Sequence, residues 1–250
     1  RQGGQRTCAM LFIELGRAAA HPEVTSRVLG RSTEGRPIYV AKTPTTAEAL
    51  VLLGRAHPPE VTGTIAMREF VDAVLADTEL AKEFRQRFSL IILPVLNPDG
   101  SARGYWRHNV NGKDLNRDWG IFSQIETQNV ARLLEGLDRA NVQVQMMLDF
   151  HSTQRNLFYT QIPEESYQEM DFASAWLDAA ADRLPDFEFT QEANPTSEQA
   201  NSKNYFHERY KIASITYELG DETDRDEIIR VTPVFADEFM KTMLRMPKPE

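Results

Sequence analysis

Two side chains that commonly bind metal ions lie three residues apart in a proline-stiffened loop, His57-Pro-Pro-Glu60. An imidazole and a carboxylate at this spacing can converge on one ion, and this pair of donors suits zinc. The pattern is short, and an isolated pair of this kind is usually an incidental feature of a surface loop. A metal site is therefore predicted only if a further ligand exists elsewhere in the chain.

A third candidate ligand is His151, which directly follows the apolar segment Val142–Phe150. A side chain at the end of such a strand leaves the core and faces a crevice. Catalytic zinc sites typically combine three protein ligands with one position left open for water. The sequence therefore predicts one Zn²⁺ per chain, held by His57, Glu60 and His151. The alternative for His151 is a hydrogen-bonded structural histidine, and His108 and His207, which lie in polar contexts, are substitutes for a ligand.

Arginine and aromatic residues are concentrated in Gly104–Asn109 and Gly112–Trp119, two segments with little periodicity. Arg107 and Arg117 are candidates for binding a carboxylate, because a guanidinium group can donate two parallel hydrogen bonds to it. The alternative is that each arginine forms a structural ion pair with one of the many acidic residues. The preceding Asn-Pro-Asp-Gly segment, Asn97–Gly100, is predicted to be a turn.

These residues are embedded in short apolar runs that alternate with longer amphipathic stretches. Runs rich in Val, Ile, Leu and aromatic residues are predicted to be strands: Pro37–Lys42, Ala49–Gly54, Ser89–Leu96, Val142–Phe150, Leu157–Gln161 and Ile212–Glu218. The amphipathic stretches are predicted to be helices: Cys8–Ala20, Thr62–Leu75, Thr78–Arg87, Glu126–Ala140, Tyr167–Leu184, Ser202–Tyr210 and Arg225–Arg245. The alternation predicts an α/β fold in which a mixed, mostly parallel sheet is sandwiched between helices.

Polar residues gather at the carboxyl ends of three of the predicted strands. Arg55–Glu60 follows the second strand, His151 follows the fourth, and Glu218 closes the sixth. In open α/β sheets, ligands bind in the crevice at the carboxyl ends of the strands. The pattern therefore predicts an active site at that edge of the sheet.

Length and composition exclude several functional classes. The 250 residues carry a net charge of −9, which argues against nucleic acid as the main partner. The single cysteine, Cys8, excludes an internal disulfide, and the longest apolar run, Leu90–Leu96, is too short to span a membrane.

We expect a single domain over residues 1–250. Because the chain begins at Arg1 rather than Met, we expect a missing upstream piece, and a removed signal peptide would slightly favour the bacterial periplasm over the cytoplasm.

Six short motifs occur together and in order: His57-x-x-Glu60, Asn97-Pro-Asp-Gly100, Trp106-Arg107, Asp114-Leu-Asn-Arg117, Asp149-Phe-His151-Ser152 and Thr216-Tyr-Glu218. With these motifs, and with the preceding segment Gly30–Ile38, the chain resembles the zinc metallocarboxypeptidases of the pancreatic carboxypeptidase A type over most of its length. It is shorter than the digestive enzymes and lacks their cysteines, so it resembles a compact bacterial-type member.

The resemblance implies a role for each residue at the metal. His57, Glu60 and His151 would be the zinc ligands, and Asp114 would accept the hydrogen bond that a zinc-bound histidine donates from its second ring nitrogen. Glu218 would be the general base that deprotonates the attacking water and later returns the proton to the leaving amine. The alternative for Glu218 is an ordinary acidic residue at a strand end.

The resemblance also implies roles on the substrate side. Arg107 would polarise the scissile carbonyl, and Asn116 and Arg117 would bind the terminal carboxylate. Lys203 lies near the position that forms the floor of the specificity pocket in this family. A lysine there predicts a preference for a terminal glutamate, or for the extra carboxylate of diaminopimelate, and the alternative is a solvated helix lysine.

The chain departs from the family at the lid. In the family, a tyrosine on a mobile loop closes over the substrate, but Gln191–Asn204 contains no tyrosine. The nearest ones, Tyr205 and Tyr210, fall in a predicted helix. The sequence does not identify the residue that takes the place of the lid tyrosine.

The main prediction is a metallocarboxypeptidase acting on peptides or peptidoglycan peptides with a free carboxylate. An amidase or deacylase on the same scaffold, acting on peptidoglycan peptides or N-acyl amino acids, would use the same metal ligands and base, so only a substrate profile distinguishes it. A non-catalytic binding domain with this fold is the alternative of another class. Such domains usually lose a ligand or the base, whereas this chain keeps them all.

Overall fold

A computed structural model describes Ala18 and residues 20–165 and 171–248, and its centre is one eight-stranded sheet. The strands are β1 Thr25–Arg31, β2 Pro37–Lys42, β3 Glu48–Gly54, β4 Phe88–Leu93, β5 Gln143–Thr153, β6 Leu157–Thr160, β7 Thr190–Ala193 and β8 Ser214–Gly220. Their spatial order is β1-β2-β4-β3-β5-β8-β6-β7. The pairs β4–β3, β3–β5, β5–β8 and β6–β7 are parallel, and the remaining pairs are antiparallel. The predicted mixed, mostly parallel sheet is confirmed.

Helices cover both faces of this sheet: α1 Val61–Val74, α2 Glu79–Arg87, α3 Pro98–Arg103, α4 Ile125–Arg139, α5 Phe172–Arg183, α6 Ser202–Tyr210 and α7 Arg225–Arg245. Short 3₁₀ turns span Leu115–Arg117 and Pro163–Glu165. One buried cluster joins α1, α2, α5 and α7 to one face, and a second joins α4 and α6 to the other. Because both faces are covered, β3 and β4 are buried at every position, which explains their continuous apolar sequences. None of the helices in the described part of the chain is long and apolar enough to cross a membrane.

Two strands end later than the sequence predicts. β5 continues to Thr153, so His151 lies inside this strand and not beyond its end. β8 continues to Gly220, so Glu218 lies inside this strand and is not its last residue. The reason is their mutual pairing, because the parallel ladder runs unbroken through His151–Glu218 to its last pair, Thr153–Gly220. The polar residues at the ends of β5 and β8 stay in the sheet because the backbone of each strand provides hydrogen-bond partners for the backbone of the other.

Other differences concern segments with a weak signal. The sequence does not predict β1 or β7, which are mostly exposed edge strands with polar sequences. The segment Asn97–Gly100, predicted to be a turn, begins helix α3. Most of the predicted helix Cys8–Ala20 lies outside the described residues, as does the start of Tyr167–Leu184, whose described part forms α5.

Candidate active site

The candidate residues meet at the carboxyl edge of the three central strands. His57 lies in the loop after β3, His151 lies in β5, and Glu218 lies in β8 directly beside His151 in the parallel ladder. All predicted site residues except Asp114 line one cavity of 470 Å³. The position predicted from strand ends is therefore where the structure brings these residues together.

The Asn-Pro-Asp-Gly segment holds the loop that carries His57. The backbone N–H of Asn97 donates to the carbonyl oxygen of Arg55 at 3.0 Å, and its Nδ2 donates to the carbonyl oxygen of Ala56 at 3.2 Å. Its Oδ1 accepts the N–H of Gly100 at 3.0 Å and so caps α3. The prediction of a turn was wrong, because the buried side chain of Asn97 caps a helix and also fixes the loop that carries His57.

Close packing of α1 on β5 sets the distance between Glu60 and His151. A Cβ added to Gly63 would lie 2.4 Å from the carbonyl oxygen of His151, so only glycine permits this approach. The N–H of Gly63 donates to Ser152 Oγ at 2.9 Å, and Thr62 Oγ1 donates to the same oxygen at 2.7 Å. The helix that begins after Glu60 is thereby fixed against the strand that carries His151.

The three candidate metal ligands converge through defined atoms. His57 Nδ1 lies 2.7 Å from one oxygen of Glu60, and His151 Nδ1 lies 2.7 Å from the other. One ligand atom from each of the three residues lies within 4.8 Å of the others. His57 and His151 are 4 % and 1 % exposed, so both histidine donors are buried. Two imidazole nitrogens and one carboxylate with room for a fourth ligand match a catalytic zinc centre.

Each imidazole is oriented by a second carboxylate. His57 Nε2 lies 3.0 Å from Asp114 Oδ1, and His151 Nε2 lies 3.0 Å from Asp149 Oδ2. A histidine that donates from Nε2 presents the lone pair of Nδ1 to a metal, which is the arrangement that zinc-binding histidines normally have. The donor set and its orientation therefore fit zinc. Asp149 was missed by the sequence reasoning, although its place two residues before His151 on the same strand face was a usable signal.

Charges within this cluster shift its pKa values. Burial opposes ionisation of Glu60, but the two histidines outweigh it and lower the pKa of Glu60 to about 2. Burial also disfavours the charged form of His151, yet Asp149 and Glu60 raise its pKa well above the usual value. A metal ion must displace these imidazole protons, so its affinity is expected to increase with pH.

Glu218 has the environment of a general base. Burial raises its pKa to about 7, with His151 acting against this shift and the charges of Glu60 and Asp149 adding to it. Its Oε2 is buried and has no hydrogen-bond partner among the described residues. A carboxylate with a pKa near neutrality and a free oxygen can take up and return a proton. Glu222, another acidic residue shortly after β8, is exposed and does not line the cavity, so it does not compete with Glu218 for this role.

Asn116 and Arg107 face the cavity with donors available. Asn116 Oδ1 accepts the N–H of Ser202 at 2.9 Å, which leaves the Nδ2 group toward the cavity. Asn116 Nδ2 lies 3.4 Å from His151 Nε2 but does not donate to it, because His151 Nε2 itself donates a hydrogen to Asp149. Arg107 donates from Nε to Asp114 at 2.7 Å, which leaves its terminal nitrogens for a ligand.

Lys203 is buried in the same cavity and is 6 % exposed. Its Nζ donates to the carbonyl oxygens of Thr160 at 3.1 Å and of Asn194 at 3.3 Å. Burial lowers its pKa to about 8. The alternative of a solvated helix lysine is therefore wrong, and Lys203 is a buried cation in the wall of the cavity.

The position of the family's lid tyrosine is occupied differently. Residues of the loop 194–201 line the cavity, and Asn204 Nδ2 holds this loop by donating to the carbonyl oxygens of Ser197 at 3.0 Å and Gln199 at 3.1 Å. Tyr205 packs on Trp119 and lies outside the cavity lining. Tyr159, which lies in β6, does line the cavity, and the sequence did not identify it as a site residue.

Comparison with known proteins decides the family, because residues 15–240 match the zinc carboxypeptidase family. The chain belongs to this family. Cytosolic carboxypeptidase 2 of Danio rerio is 35% identical over 150 residues, which cover 53% of this chain and 20% of the relative. An uncharacterized protein of Zymomonas mobilis is 24% identical over 215 residues, covering 82% of this chain and 56% of that protein. The chain thus spans a fifth to about half of these relatives.

A solved structure supports the fold of this zinc carboxypeptidase family member. The metallo-carboxypeptidase from Burkholderia cenocepacia superposes with a TM-score of 0.76 at 20% identity, covering 93% of this chain and 68% of that one. The predicted family and fold are confirmed, and a His-Glu-His site suits the metal on which the family depends. A single zinc per chain and the roles of individual side chains stay predictions.

Proposed function

We propose that this chain is a zinc-dependent carboxypeptidase that removes an acidic residue from the carboxyl terminus of peptides. The observation that carries the proposal is the buried ammonium of Lys203 in the same cavity as the metal ligands and Glu218. Lys203 donates to two carbonyl oxygens and forms no ion pair with a carboxylate of the described residues. The carboxylate of Glu165 acts on Lys203 electrostatically without forming an ion pair with it. A buried cation that no carboxylate contacts directly is complementary to a substrate that brings a negative charge.

The residues around the metal site divide the reaction between them. A zinc ion bound there would supply Lewis-acid polarisation of a water molecule and of the scissile carbonyl. Glu218, with a pKa raised to about 7, takes the proton of the attacking water and gives it to the leaving amine. Arg107 donates to the oxygen on which negative charge develops, since its Nε bond to Asp114 directs the guanidinium group into the cavity.

Asn116 and Arg117 hold the terminal carboxylate of the substrate. The N–H of Ser202 fixes the amide of Asn116 with its donor toward the cavity, and Arg117 donates from Nη1 to the carbonyl oxygen of Asn116 at 2.7 Å. The two side chains are thereby positioned together on one wall. Lys203 then selects the terminal side chain, and a hydrogen bond to a charged partner is worth about 1.5–3 kcal/mol, or roughly ten- to a hundredfold in selectivity.

A panel of matched peptides tests this function. We expect the zinc-loaded enzyme to cleave peptides ending in Glu with a higher kcat/KM than those ending in Gln, Leu or Lys. The panel includes a murein peptide ending in diaminopimelate and an N-acyl glutamate, which would identify a peptidoglycan peptidase or a deacylase. Lys203→Ala should remove the preference for Glu over Gln, whereas Lys248→Ala, an exposed lysine, should keep it. A best substrate ending in Leu or Lys, or an unchanged ratio in Lys203→Ala, would overturn the acidic preference.

A further inference from the structure

Tyr159 lies in the wall of the cavity. It lies in β6, which pairs antiparallel with β8 so that Tyr159 is opposite Thr216 and Leu157 is opposite Glu218. Residues paired across two strands face the same side of a sheet. Tyr159, Thr216 and Glu218 therefore share one face, and all three line the cavity. Along β6, Tyr159 is two residues, or about 7 Å, from Leu157, the residue opposite Glu218.

The hydroxyl of Tyr159 is an available donor. Within residues 20–165 and 171–248, it makes no hydrogen bond with another residue. Burial and the nearby charges of Glu192 and Glu218 raise the pKa of Tyr159, so the phenol keeps its proton. A protonated phenol with no partner in a ligand cavity is suited to donate to an acceptor of the ligand.

The backbone next to Tyr159 holds the ammonium of Lys203. The carbonyl oxygen of Thr160, the next residue in β6, accepts from Lys203 Nζ at 3.1 Å, and the carbonyl oxygen of Asn194 accepts from it at 3.3 Å. An ammonium has three hydrogens, so one is left for a ligand. The phenol and the ammonium are thus two donors in the wall of one cavity, and the residue that follows Tyr159 in β6 holds the ammonium. Two such donors suit the two oxygens of one carboxylate.

We propose that Tyr159 is a specificity-determining residue that donates its hydroxyl hydrogen to the side-chain carboxylate of the substrate's terminal residue, alongside Lys203. This inference rests on the proposed function and adds a second recognition element to it. A glutamine side chain satisfies the pair less well, because its NH₂ group cannot accept the phenol hydrogen and can only donate to the phenol oxygen, which is a weaker, neutral hydrogen bond. Two donors on one carboxylate therefore discriminate against an amide of nearly the same shape more strongly than Lys203 alone.

Tyr159→Phe tests this assignment because it removes one hydroxyl and keeps the ring. We expect the ratio of kcat/KM for Glu over Gln peptides to fall about tenfold, the value for losing one hydrogen bond to a charged group. Tyr39→Phe is the matched control, because its hydroxyl is buried without a partner on β2, which is distant in the sheet order, and its Glu/Gln ratio should equal that of wild type. A second measurement is calorimetric binding of N-acetylglutamate and N-acetylglutamine to the metal-free protein. Tyr159→Phe should weaken the first ligand about tenfold and leave the second nearly unchanged.

The outcomes separate this inference from the proposed function. An unchanged Glu/Gln ratio and an unchanged affinity for N-acetylglutamate in Tyr159→Phe would overturn the role of Tyr159, while a loss of selectivity in Lys203→Ala would keep the proposed function intact. A wild-type enzyme without preference for Glu over Gln would overturn both. An equal loss for the Glu and Gln ligands would assign Tyr159 a merely structural role and would also overturn the inference.

Discussion

The buried ammonium of Lys203 is expected to cost folding stability, and its removal should reveal that cost. Carbonyl oxygens of Thr160 and Asn194 hold Nζ, and no carboxylate of the described residues pairs with it. Burial lowers the pKa of Lys203 from 10.5 to about 8. At about 1.36 kcal/mol per pH unit, this corresponds to roughly 3 kcal/mol of folding free energy at neutral pH, where the lysine is charged in the folded and the unfolded chain.

Lys203→Met keeps most of the apolar stem and removes the charge. The carbonyl oxygen of Thr160 still accepts the N–H of Asn194 at 3.1 Å, but the carbonyl oxygen of Asn194 loses its lysine donor, which costs about 1 kcal/mol. The net gain in the free energy of unfolding should therefore be about 2 kcal/mol at pH 7. For a chain of this size, that raises Tm by roughly 4–8 °C.

The gain should depend on pH in one direction. Because the pKa of Lys203 is lower in the folded than in the unfolded chain, the unfolded chain retains the proton as the pH rises from about 8 to 10.5. The penalty is complete below about pH 8 and disappears across this range. Thermal unfolding of wild type, Lys203→Met and the exposed control Lys248→Met at neutral and alkaline pH measures it. A Lys203→Met protein no more stable than wild type at pH 7, or with an advantage that does not shrink at alkaline pH, would refute the reasoning.

Further substitutions test the metal site and its support. His151→Ala should abolish stoichiometric zinc, measured by elemental analysis of the purified protein. Glu218→Gln should keep zinc while kcat falls at least about a hundredfold, and Glu222→Gln should turn over normally. Asp149→Asn should weaken zinc binding about 10- to 100-fold in a chelator competition, because His151 loses its orienting carboxylate. Gly63→Ala should destabilise the protein by about 1–3 kcal/mol in urea unfolding, since its Cβ would meet the backbone of His151.

Each of these expectations has an outcome that contradicts it. Full zinc occupancy in His151→Ala would remove that residue from the ligand set, and a near-normal kcat in Glu218→Gln would move the base elsewhere. Unaltered zinc affinity in Asp149→Asn would show that the carboxylate does not orient the imidazole. A Gly63→Ala protein as stable as wild type would mean that α1 and β5 can separate without cost.

The central sheet could be predicted because its strands carry their own signal. β3 and β4 are buried at every position and therefore appear as uninterrupted apolar runs. The edge strands β1 and β7 are largely exposed, and their polar residues become strands only through pairing with β2 and β6. That pairing is a tertiary contact and leaves no periodicity in the sequence. The same cause hid the last residues of β5 and β8.

The metal site was predicted for a similar reason. His57, Glu60 and His151 are ligand types that follow apolar runs in the sequence, which is a local pattern. The supporting contacts are not local. Ser202 donates its N–H to Asn116 and its Oγ–H to Asp149, and this buried link between α6, the 3₁₀ turn and β5 depends on the packing of segments far apart in the chain. No spacing rule would have paired these residues.

The residues of the cavity stand partly on central strands and partly near the edge of the sheet, so they should respond differently to warming. His151 and Glu218 stand on β5 and β8, which share seven consecutive residue pairs. The carbonyl oxygens that hold Lys203 belong to the far end of β6 and the residue after β7, an edge strand with three of its four residues exposed. Sheet edges open locally at lower free energy than sheet centres. On warming, the proposed selection of glutamate over glutamine by Lys203 should therefore be lost at a lower temperature than metal binding at the centre of the sheet.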